Sequence, residues 1–274
     1  MNRRYGREVL RLALVQDTAV PGDVAANVAT AARRVREAAA AGARLVLLPE
    51  TFTTSWDLDA FDGPLPTMDD TGWLAPVQSA VDETGTVLVL NSALARGGRR
   101  TITSLVVAPQ EQPVAAYDKQ HLYPPERERF EPGERGTTIE IDGVRVALSV
   151  CYDANFPEHA AAAAADGAIL YVNSGAYFPG GGHRRDLHYA ARALDNSMYV
   201  AFAGLVGGPL GLIGGSAVYD PLGRPVQRLD DATAGMVVVA IDPAEVARVR
   251  DEQRMWADHR ADLGPRRTFS VSGP

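Results

Sequence analysis

Apolar and polar positions along the chain predict strands and helices that alternate almost from end to end. Residues 11–16 (RLALVQ) fit a first strand, and residues 23–40 fit an Ala-rich amphipathic helix closed by Gly42. The continuous apolar run at 43–50 (ARLVLLPE) is typical of a strand buried on both faces of a sheet. This alternation predicts an α/β protein.

The remainder of the chain continues the same pattern. A segment rich in proline and charge at 121–136 is too long for a simple turn, which predicts a functional or lid-like loop. No linker or internal repeat interrupts the alternation, so we expect a single domain over 1–274, with 252–274 as a C-terminal extension. Further strands are predicted at 86–94, 101–109, 113–119, 137–142, 144–150, 168–174, 198–207, 215–223 and 235–242, and further helices at 73–84, 156–167, 183–196 and in the charged tail from Pro243.

Three residues with reactive side chains come directly after predicted strands. Glu50 ends the buried apolar run, Lys119 ends the second strand of a predicted antiparallel pair, and Cys151 follows a hairpin strand. Sites in α/β folds lie at the carboxyl ends of strands, so these side chains are expected to converge. A thiol needs a nearby base or cation to attack at neutral pH. Glu50 can supply the base, and Lys119 can stabilise both a thiolate and an oxyanion.

Cysteine and lysine usage bears on the same residues. Cys151 is the only cysteine, so no intramolecular disulfide can form, and no cluster of Cys and His offers a zinc-ligand pattern. A lone cysteine is either a small buried hydrophobe or a nucleophile. Lys119 is the only lysine among 27 basic residues. Either this single lysine is there by chance, or it marks a site that requires a compact ammonium with a tunable pKa.

Composition excludes several classes of function. The chain has 274 residues, of which 46% are hydrophobic, enough to bury a large core. Its formal net charge is -7, so the chain lacks the excess of positive charge with which proteins bind nucleic acid or an anionic membrane. Apolar runs fall short of the roughly 20 residues of a membrane span, and residues 1–16 fit a first strand better than a signal peptide. We therefore expect a cytoplasmic protein with neither nucleic acid nor membrane as a partner.

Several motifs together resemble the nitrilase superfamily of carbon-nitrogen hydrolases over nearly the whole chain. Four of them, in this order, carry the residues expected of an active site; two later segments are also similar. The motifs are LLPET at 47–51, YDKQHL at 117–122, ERERFEPG at 126–133, SVCYDANFPE at 149–158, ARALDN at 191–196 and GGSAVYDPLG at 214–223.

The resemblance implies a four-layer αββα sandwich that forms homodimers or higher homo-oligomers and requires no metal or organic cofactor. It also implies a Glu-Lys-Cys triad, with Glu50 as general base, Lys119 as electrostatic stabiliser and Cys151 as nucleophile. Glu126, four residues before the Phe of FEPG, matches a second active-site carboxylate that positions the lysine or relays protons. Glu128 is the alternative if the alignment is displaced.

The chemistry predicts further residues around these groups. Attack on an amide creates an oxyanion, for which Lys119 and the backbone N–H of Tyr152 are the natural donors. Arg184 and Arg185, beside the Gly-rich rim FPGGGH, are candidates for binding a carboxylate. The side chains predicted to line a substrate pocket mix aromatic and polar character and are those of Phe52, Trp56, Tyr152, Asn173, Tyr177 and Phe178.

These residues favour an amidase that cleaves a small amide or N-carbamoyl compound through a Cys151 thioester. Three alternatives remain open at this point. One is a catalytically silent binding or scaffold protein with the same fold, and another is a nitrile-hydrolysing enzyme. The last is a Cys-His transferase or hydrolase that uses His121 in place of Lys119, which would survive Lys119→Arg better than His121→Ala.

Overall fold

The computed structural model describes residues 8–230, 233–260 and 262–271, and the first seven residues of the predicted N-terminal strand segment lie outside this part of the chain. The strands are β1 (Leu10–Gln16), β2 (Leu45–Leu47), β3 (Val87–Arg96), β4 (Arg99–Val107), β5 (Val114–Asp118), β6 (Thr137–Ile141), β7 (Val144–Val150), β8 (Leu170–Gly175), β9 (Tyr199–Gly204), β10 (Val206–Gly207), β11 (Leu212–Ile213), β12 (Ala217–Tyr219), β13 (Pro225–Arg228) and β14 (Gly235–Ile241). The α-helices are α1 (Val24–Ala40), α2 (Leu58–Asp62), α3 (Ala75–Thr84), α4 (Pro157–Ala165), α5 (Gly182–Asn196), α6 (Pro243–Glu252) and α7 (Met255–Asp258).

Two six-stranded mixed sheets form the centre of the protein. The first has the order β14-β1-β2-β3-β4-β5, in which β1, β2 and β3 run parallel and the other neighbours pair antiparallel. The second has the order β13-β12-β9-β8-β7-β6, with β7, β8 and β9 parallel. The parallel strands are buried along nearly their whole length, as their continuous apolar runs require.

Helices cover the outer faces of both sheets. Helices α1 and α3 pack together on the first sheet, and α4 and α5 pack together on the second, while β1 contacts β9 between the sheets. Helix α1 begins where the Asp23 side chain accepts a hydrogen bond from Ala26 N–H, and its buried face repeats at helical spacing through Val28, Ala31 and Val35. The four-layer αββα arrangement predicted from the sequence is confirmed.

Most predicted elements are present, with informative differences at the ends. The predicted helix at 73–84 starts as a 3-10 turn, and the strand predicted at 198–207 is broken at Leu205, whose N–H donates to the carbonyl of Gly175. Helix α2 and strand β13 were not predicted, because α2 is a single short turn and β13 is exposed throughout. Within the predicted extension, residues 262–271 form no helix or strand and are exposed.

Strand ends position the candidate site as the sequence predicted. Strand β2 ends three residues before Glu50, β5 ends immediately before Lys119, and β7 ends immediately before Cys151. Glu50 and Lys119 therefore come from the first sheet and Cys151 from the second, so that the site forms where the two sheets face each other. Across the described ranges, no helix is both long enough and apolar enough to cross a membrane.

Candidate active site

Cys151 lies at a sharp turn between β7 and a short 3-10 helix, Cys151–Asn155. Its φ of 43° is in the left-handed region, which residues with a side chain rarely adopt. The N–H of Val150 donates to Asp153 Oδ2 at 2.9 Å, and the Cys151 thiol donates to the carbonyl oxygen of Ala176 at 3.4 Å. Such backbone strain persists only where the surroundings hold it, and it is concentrated at functional sites.

Lys119 connects two carboxylates in the interior of the protein. Its Nζ donates to Glu50 Oε1 at 2.7 Å and to Glu126 Oε1 and Oε2 at 2.8 and 2.7 Å. All three side chains have no solvent exposure. Removing charges from water carries a high cost, which this arrangement offsets by pairing one ammonium with two acceptors. This hydrogen-bonded cluster contains three of the four residues predicted to be catalytic, and the fourth, Cys151, is close enough for the charges of Glu50 and Lys119 to shift the pKa of its thiol.

Two further donors hold Glu126 in place. Trp56 Nε1 donates to Glu126 Oε1 at 2.8 Å, and the backbone N–H of Tyr123 donates to Oε2 at 2.8 Å. Both donors are neutral, so the only cation on this carboxylate among the described residues is Lys119. Glu126 therefore fixes the position of the Lys119 ammonium.

The second oxygen of Glu50 has a different environment. Oε2 is buried and makes no hydrogen bond of normal geometry with any residue that the structure describes. Burial raises the pKa of Glu50 to about 7; the charge of Lys119 and its hydrogen bond oppose this rise, and the charge of Glu126 adds to it. A carboxylate with a pKa near neutrality and a free oxygen is suited to accept a proton.

The remaining two pKa values describe the resting state of the site. Burial, together with the negative charge of Glu50, raises the pKa of the Cys151 thiol well above its usual value, and Lys119 only partly offsets this. Burial by itself would lower the pKa of Lys119, but the carboxylates of Glu126 and Glu50 raise it overall. At neutral pH the site therefore holds a protonated thiol next to a permanent ammonium.

A buried polar network supports the Cys151 turn from below. Asp153 Oδ2 accepts a hydrogen bond from Tyr117 OH at 2.6 Å, and Oδ1 accepts from the His121 N–H at 2.8 Å and pairs with His121 Nδ1 at 2.9 Å. Tyr117 and His121 each lie two residues from Lys119 in the sequence. Asp153 therefore connects the segment that carries the cysteine to the segment that carries the lysine.

A cavity of about 400 Å³ opens above Cys151. Its walls combine aromatic rings, the Gly-rich rim and a few polar side chains. The lining residues are Trp56, Tyr123, Glu126, Cys151, Tyr152, Asn155, Ala176, Tyr177, Phe178, Pro179, Gly180, Gly181, Arg184 and His188. A cavity of this size fits a small molecule and not a folded protein.

Four of the six predicted pocket side chains, those of Trp56, Tyr152, Tyr177 and Phe178, line this cavity, and two do not. Phe52 is completely buried in the core beneath the turn that follows Glu50. Asn173 is also buried, where its Nδ2 donates to Ser149 Oγ at 2.9 Å and its Oδ1 accepts from Tyr189 OH at 2.7 Å. The placement of these two at the pocket wall is wrong because both side chains point into the interior.

The structure also discriminates between the alternatives for individual residues. The Glu128 side chain is 83% exposed and points to solvent beside Arg129, so Glu126 is the carboxylate at the site. His121 stacks on Phe156 with ring centroids 3.9 Å apart and does not line the cavity that contains Cys151. The hydrogen bond between His121 and Asp153 gives His121 a structural role, and this role is an alternative to pairing with Cys151.

Of the two candidate carboxylate ligands, only one reaches the cavity. Arg184 is exposed and lines the wall. Arg185 is completely buried, with Nη1 donating to the carbonyl of Gly214 at 2.7 Å and Nε to Asp186 at 2.9 Å. A side chain at Gly215 would collide with this guanidinium, because an added Cβ would lie 2.1 Å from Nη1.

Three lining residues with polar groups were not predicted, namely Tyr123, Asn155 and His188. They come from a loop, a 3-10 turn and the second turn of α5, so no single sequence motif contains them. The predicted pocket rim FPGGGH, with Arg184 and Arg185 beside it, pointed toward α5, and Pro179, Gly180 and Gly181 do line the cavity. Over the described ranges, no group of three or more His, Cys, Asp or Glu side chains is arranged to hold a metal ion.

Comparison with known proteins finds a family model and relatives that match most of this chain. The family model described as carbon-nitrogen hydrolase matches residues 11–251. An (R)-stereoselective amidase from a Pseudomonas species is 32% identical over 245 residues, covering 87% of this chain and 88% of the amidase.

Solved structures give the same fold. Nit3 of Saccharomyces cerevisiae, a member of branch 10 of the nitrilase superfamily, superimposes with a TM-score of 0.84 at 24% identity, covering 92% of this chain and 97% of Nit3. An amidase from Nesterenkonia sp. AN1 superimposes with a TM-score of 0.78 at 27% identity, covering 94% and 99% of the two chains. That structure is a Glu-to-Gln variant with the acetamide moiety of fluoroacetamide covalently added at the active-site cysteine.

Proposed function

The chain belongs to the carbon-nitrogen hydrolase family, and on this basis we propose that it hydrolyses a small amide or N-carbamoyl compound through a thioester on Cys151. Glu50 is the general base, Lys119 the electrostatic stabiliser and Glu126 the residue that positions the lysine. The observation that supports this proposal most strongly is the bridging ammonium of Lys119, which occupies one oxygen of Glu50 and leaves the other without a partner.

Proton transfer accompanies the first bond formed. Because the pKa of the Cys151 thiol is raised by burial, a free thiolate is not the resting nucleophile. The thiol proton passes to Glu50 as sulfur attacks the amide carbon, so that charge moves between two adjacent groups. The pKa of Glu50, about 7, lets it accept this proton at neutral pH and release it later.

Two donors stabilise the tetrahedral oxyanion. Lys119 carries three N–H groups, and two carboxylates take at least two of them. The remaining donor capacity of Nζ and the backbone N–H of Tyr152 can be directed at the substrate oxygen. Removal of one such donor typically costs about 10²–10³-fold in rate.

One carboxyl group serves both halves of the reaction. Protonated Glu50 gives its proton to the substrate nitrogen, the carbon-nitrogen bond breaks, and ammonia or an amine leaves with the acyl group held as a thioester. Water then attacks the thioester carbon while Glu50 removes its proton. The carbon-sulfur bond breaks, the thiol recovers the proton held by Glu50, and a carboxylic acid departs, or carbamic acid when the substrate is an N-carbamoyl compound.

A labelling and turnover experiment tests the proposal. Fluoroacetamide should modify the wild-type protein at Cys151 and leave Cys151→Ala unmodified, as read by peptide mass spectrometry. Ammonia release should be measured in parallel from a panel of small primary amides, N-carbamoyl compounds and nitriles. Turnover of an amide or N-carbamoyl compound that is lost in Cys151→Ala supports the proposal, and turnover that survives in this variant contradicts it.

Two expectations about the whole protein accompany the proposal. We expect a homodimer or higher homo-oligomer and a cytoplasmic location. Light scattering of the purified protein tests the first, and microscopy of the tagged protein in its source cells tests the second. A monomer at the concentration of the assay would contradict the first expectation without affecting the chemistry.

A further inference from the structure

One buried turn delivers two side chains to the site. The turn runs from Glu50, which bonds to Lys119, to Trp56, which donates to Glu126. All of residues 50–56 are buried, although most of them carry polar side chains. Buried backbone polar groups need partners, and an irregular turn has no helix or sheet pattern to supply them. Contacts from outside the turn therefore decide how it is held.

The backbone is strained near both ends of this turn. Thr51, directly after Glu50, has a φ of 44°, and Ser55, directly before Trp56, has a φ of 64°. Residues with a Cβ rarely adopt this left-handed region, and a β-branched residue such as threonine is an outlier there. The chain thus leaves Glu50 in a direction that threonine disfavours, and such a conformation persists only where a neighbouring group holds it.

Asn91, in the middle of β3, holds the strained residue. Its Oδ1 accepts the Thr51 N–H at 2.7 Å, and its Nδ2 donates to Ser104 Oγ on β4 at 3.2 Å. Because a backbone N–H needs an acceptor, the amide oxygen and not the amide nitrogen must face Thr51. Asn91 has no solvent exposure, so removal of its side chain would leave the Thr51 N–H as a buried donor without its acceptor.

The chain that enters Glu50 is held by other groups. The Leu48 N–H donates to a carbonyl of β3 at 3.1 Å, and the Leu48 carbonyl accepts from Ser174 Oγ on β8 at 2.7 Å. Pro49 then fixes its own φ through its ring. Asn91 therefore supplies the hold on the other side of Glu50, where the chain leaves.

The proton-accepting oxygen of Glu50 depends on this backbone. Oε1 bonds to Lys119, whereas Oε2 makes no hydrogen bond of normal geometry with any residue that the structure describes. A change of the backbone at Thr51 would move both oxygens relative to Nζ and to the Cys151 sulfur. Misplacement of a reacting group by about 1 Å lowers a rate on the order of 10²-fold.

We propose that Asn91 is a positioning residue for the general base, which it holds in place through the strained backbone of Thr51. This inference rests on the proposed function, in which Glu50 is the base, and adds a residue on which that base depends. Asn91 is not among the residues that line the cavity, so it acts through Thr51 and not by contact with the substrate.

The charges that face Glu50 give this role a measurable signature. Burial raises the pKa of Glu50 to about 7, the ammonium of Lys119 opposes this rise by its charge and its hydrogen bond, and the carboxylate of Glu126 adds to it. Cys151 contributes no charge while its thiol is protonated. A Glu50 side chain displaced from Nζ would lose the opposing effect of Lys119, so its pKa should rise and the acid limb of kcat/KM should move to higher pH.

The test combines a substitution at Asn91 with two at Thr51. Asn91→Ala removes the acceptor, Thr51→Gly removes the Cβ that makes a φ of 44° unfavourable, and Thr51→Ala shortens the side chain but keeps the Cβ. Asn196→Ala is the matched control, because Asn196 is also a buried asparagine, whose Nδ2 donates to the carbonyl of Arg192 at 2.9 Å. It lies at the end of α5 and not on the turn that follows Glu50.

Asn91→Ala should lower kcat/KM for the best amide of the panel by about 10- to 10²-fold, mainly through kcat, and should move the acid limb to higher pH. The loss should be smaller in the Thr51→Gly background than in the Thr51→Ala background, because glycine adopts the required conformation without a Cβ penalty. Asn196→Ala should keep the kcat/KM and the acid limb of wild type. An unchanged kcat/KM and acid limb in Asn91→Ala, or equal losses in the two Thr51 backgrounds, overturns the inference.

If Asn91→Ala does not fold, Asn91→Ser carries the same expectations, because the serine side chain is too short to reach the Thr51 N–H. Two measurements that need no turnover separate this inference from the proposed function. Denaturant titrations of wild type, Asn91→Ala, Thr51→Gly and the double variant give the coupling between the two positions in the free energy of unfolding. Fluoroacetamide labelling gives the rate at which Cys151 reacts.

The two measurements have opposite outcomes if the inference is right or wrong. A smaller destabilisation by Asn91→Ala in the Thr51→Gly background, together with slower labelling of Asn91→Ala than of wild type, supports the inference even if no amide is hydrolysed. In that case the proposed function alone fails. Additive effects on the free energy of unfolding, or equal labelling rates, count against the inference even if amides are hydrolysed.

Discussion

Lys119 and Glu126 form a completely buried pair in which one ammonium contacts both oxygens of one carboxylate, at 2.8 and 2.7 Å. Trp56 and the backbone of Tyr123 hold the same carboxylate from its other sides. The position of Nζ is thereby fixed independently of Glu50, so that Glu50 can gain and lose a proton while the lysine stays in place.

The pH dependence of kcat/KM reports the ionisation of Glu50. Glu50 acts as a base only when ionised, and burial raises its pKa to about 7, so kcat/KM should fall as pH decreases through this value. The measurement is a profile of ammonia release from acid to mildly alkaline pH with one good amide. A profile that is flat across neutrality would be inconsistent with Glu50 as the base.

Replacement of Glu126 should change both the rate and this profile. The negative charge of Glu126 raises the pKa of Glu50, so Glu126→Gln should move the acid limb to lower pH. Because the variant also loosens the hold on Lys119, we expect kcat to fall on the order of 10²-fold, comparable to loss of an oxyanion donor.

Glu128→Gln is the matched control, since it removes the same charge from a side chain that is 83% exposed. It should leave both kcat and the acid limb unchanged. If the two variants behaved alike, the assignment of Glu126 as the positioning carboxylate would be wrong.

Asp153 should act as a positioning residue for the Cys151 turn. It accepts hydrogen bonds from the Val150 N–H, from Tyr117 OH and from His121, and Asp153→Asn turns one acceptor oxygen into a donor. We expect a loss of about 2–3 kcal/mol in the free energy of unfolding and a lower kcat with little change in KM. Tyr117→Phe, which removes one of these bonds, should cost about 1 kcal/mol.

The stability effect of Asp153 should depend on pH with a defined sign. Burial would raise the pKa of Asp153, but hydrogen bonds from His121 and Tyr117 and the charge of His159 lower it below 3.8 overall. Its stabilisation is therefore present above the unfolded-state value and is lost as pH falls through the folded-state value. Denaturant titrations should show the difference between wild type and Asp153→Asn shrinking below about pH 4.

Lys119→Arg and His121→Ala distinguish a Glu-Lys-Cys site from a Cys-His site. A planar guanidinium cannot replace a compact ammonium that bridges two buried carboxylates, so Lys119→Arg should reduce kcat/KM by at least about 10²-fold. His121→Ala should retain most of the rate constant and lose stability through its bond to Asp153. The reverse order of effects would favour the Cys-His alternative.

The parts of the site that were predictable from sequence are those set by local chain order. Each of three site residues, Glu50, Lys119 and Cys151, follows a strand that its apolar run predicts. The carboxyl ends of such strands meet in this class of fold. Glu126 was identified through the resemblance to the nitrilase superfamily, by its spacing from the FEPG motif. Most strand positions followed from the same patterns, whereas the four-layer arrangement was implied by the resemblance to the nitrilase superfamily.

The direction of individual side chains was not predictable in the same way. Phe52 lies two residues from Glu50 in an irregular turn. Such a turn lacks the alternation of apolar and polar residues that distinguishes inward-facing from outward-facing side chains in a strand. Asn173 follows the buried pattern of β8, and its partners Ser149 and Tyr189 belong to β7 and α5. Arg184 and Arg185 are adjacent, yet only the helix phase, about 100° per residue, decides which one reaches the cavity.

The measurement that tests the central claim most directly is the intact mass of the protein during turnover. Protein mixed with a hydrolysable amide and quenched in acid within the first turnovers should carry one acyl group on Cys151, and Cys151→Ala should carry none. Glu50→Gln should acylate more slowly and then keep the acyl group longer, because the same carboxylate assists both steps. Steady ammonia release without any acyl adduct in wild type, or equal release by Cys151→Ala, would contradict a thioester mechanism.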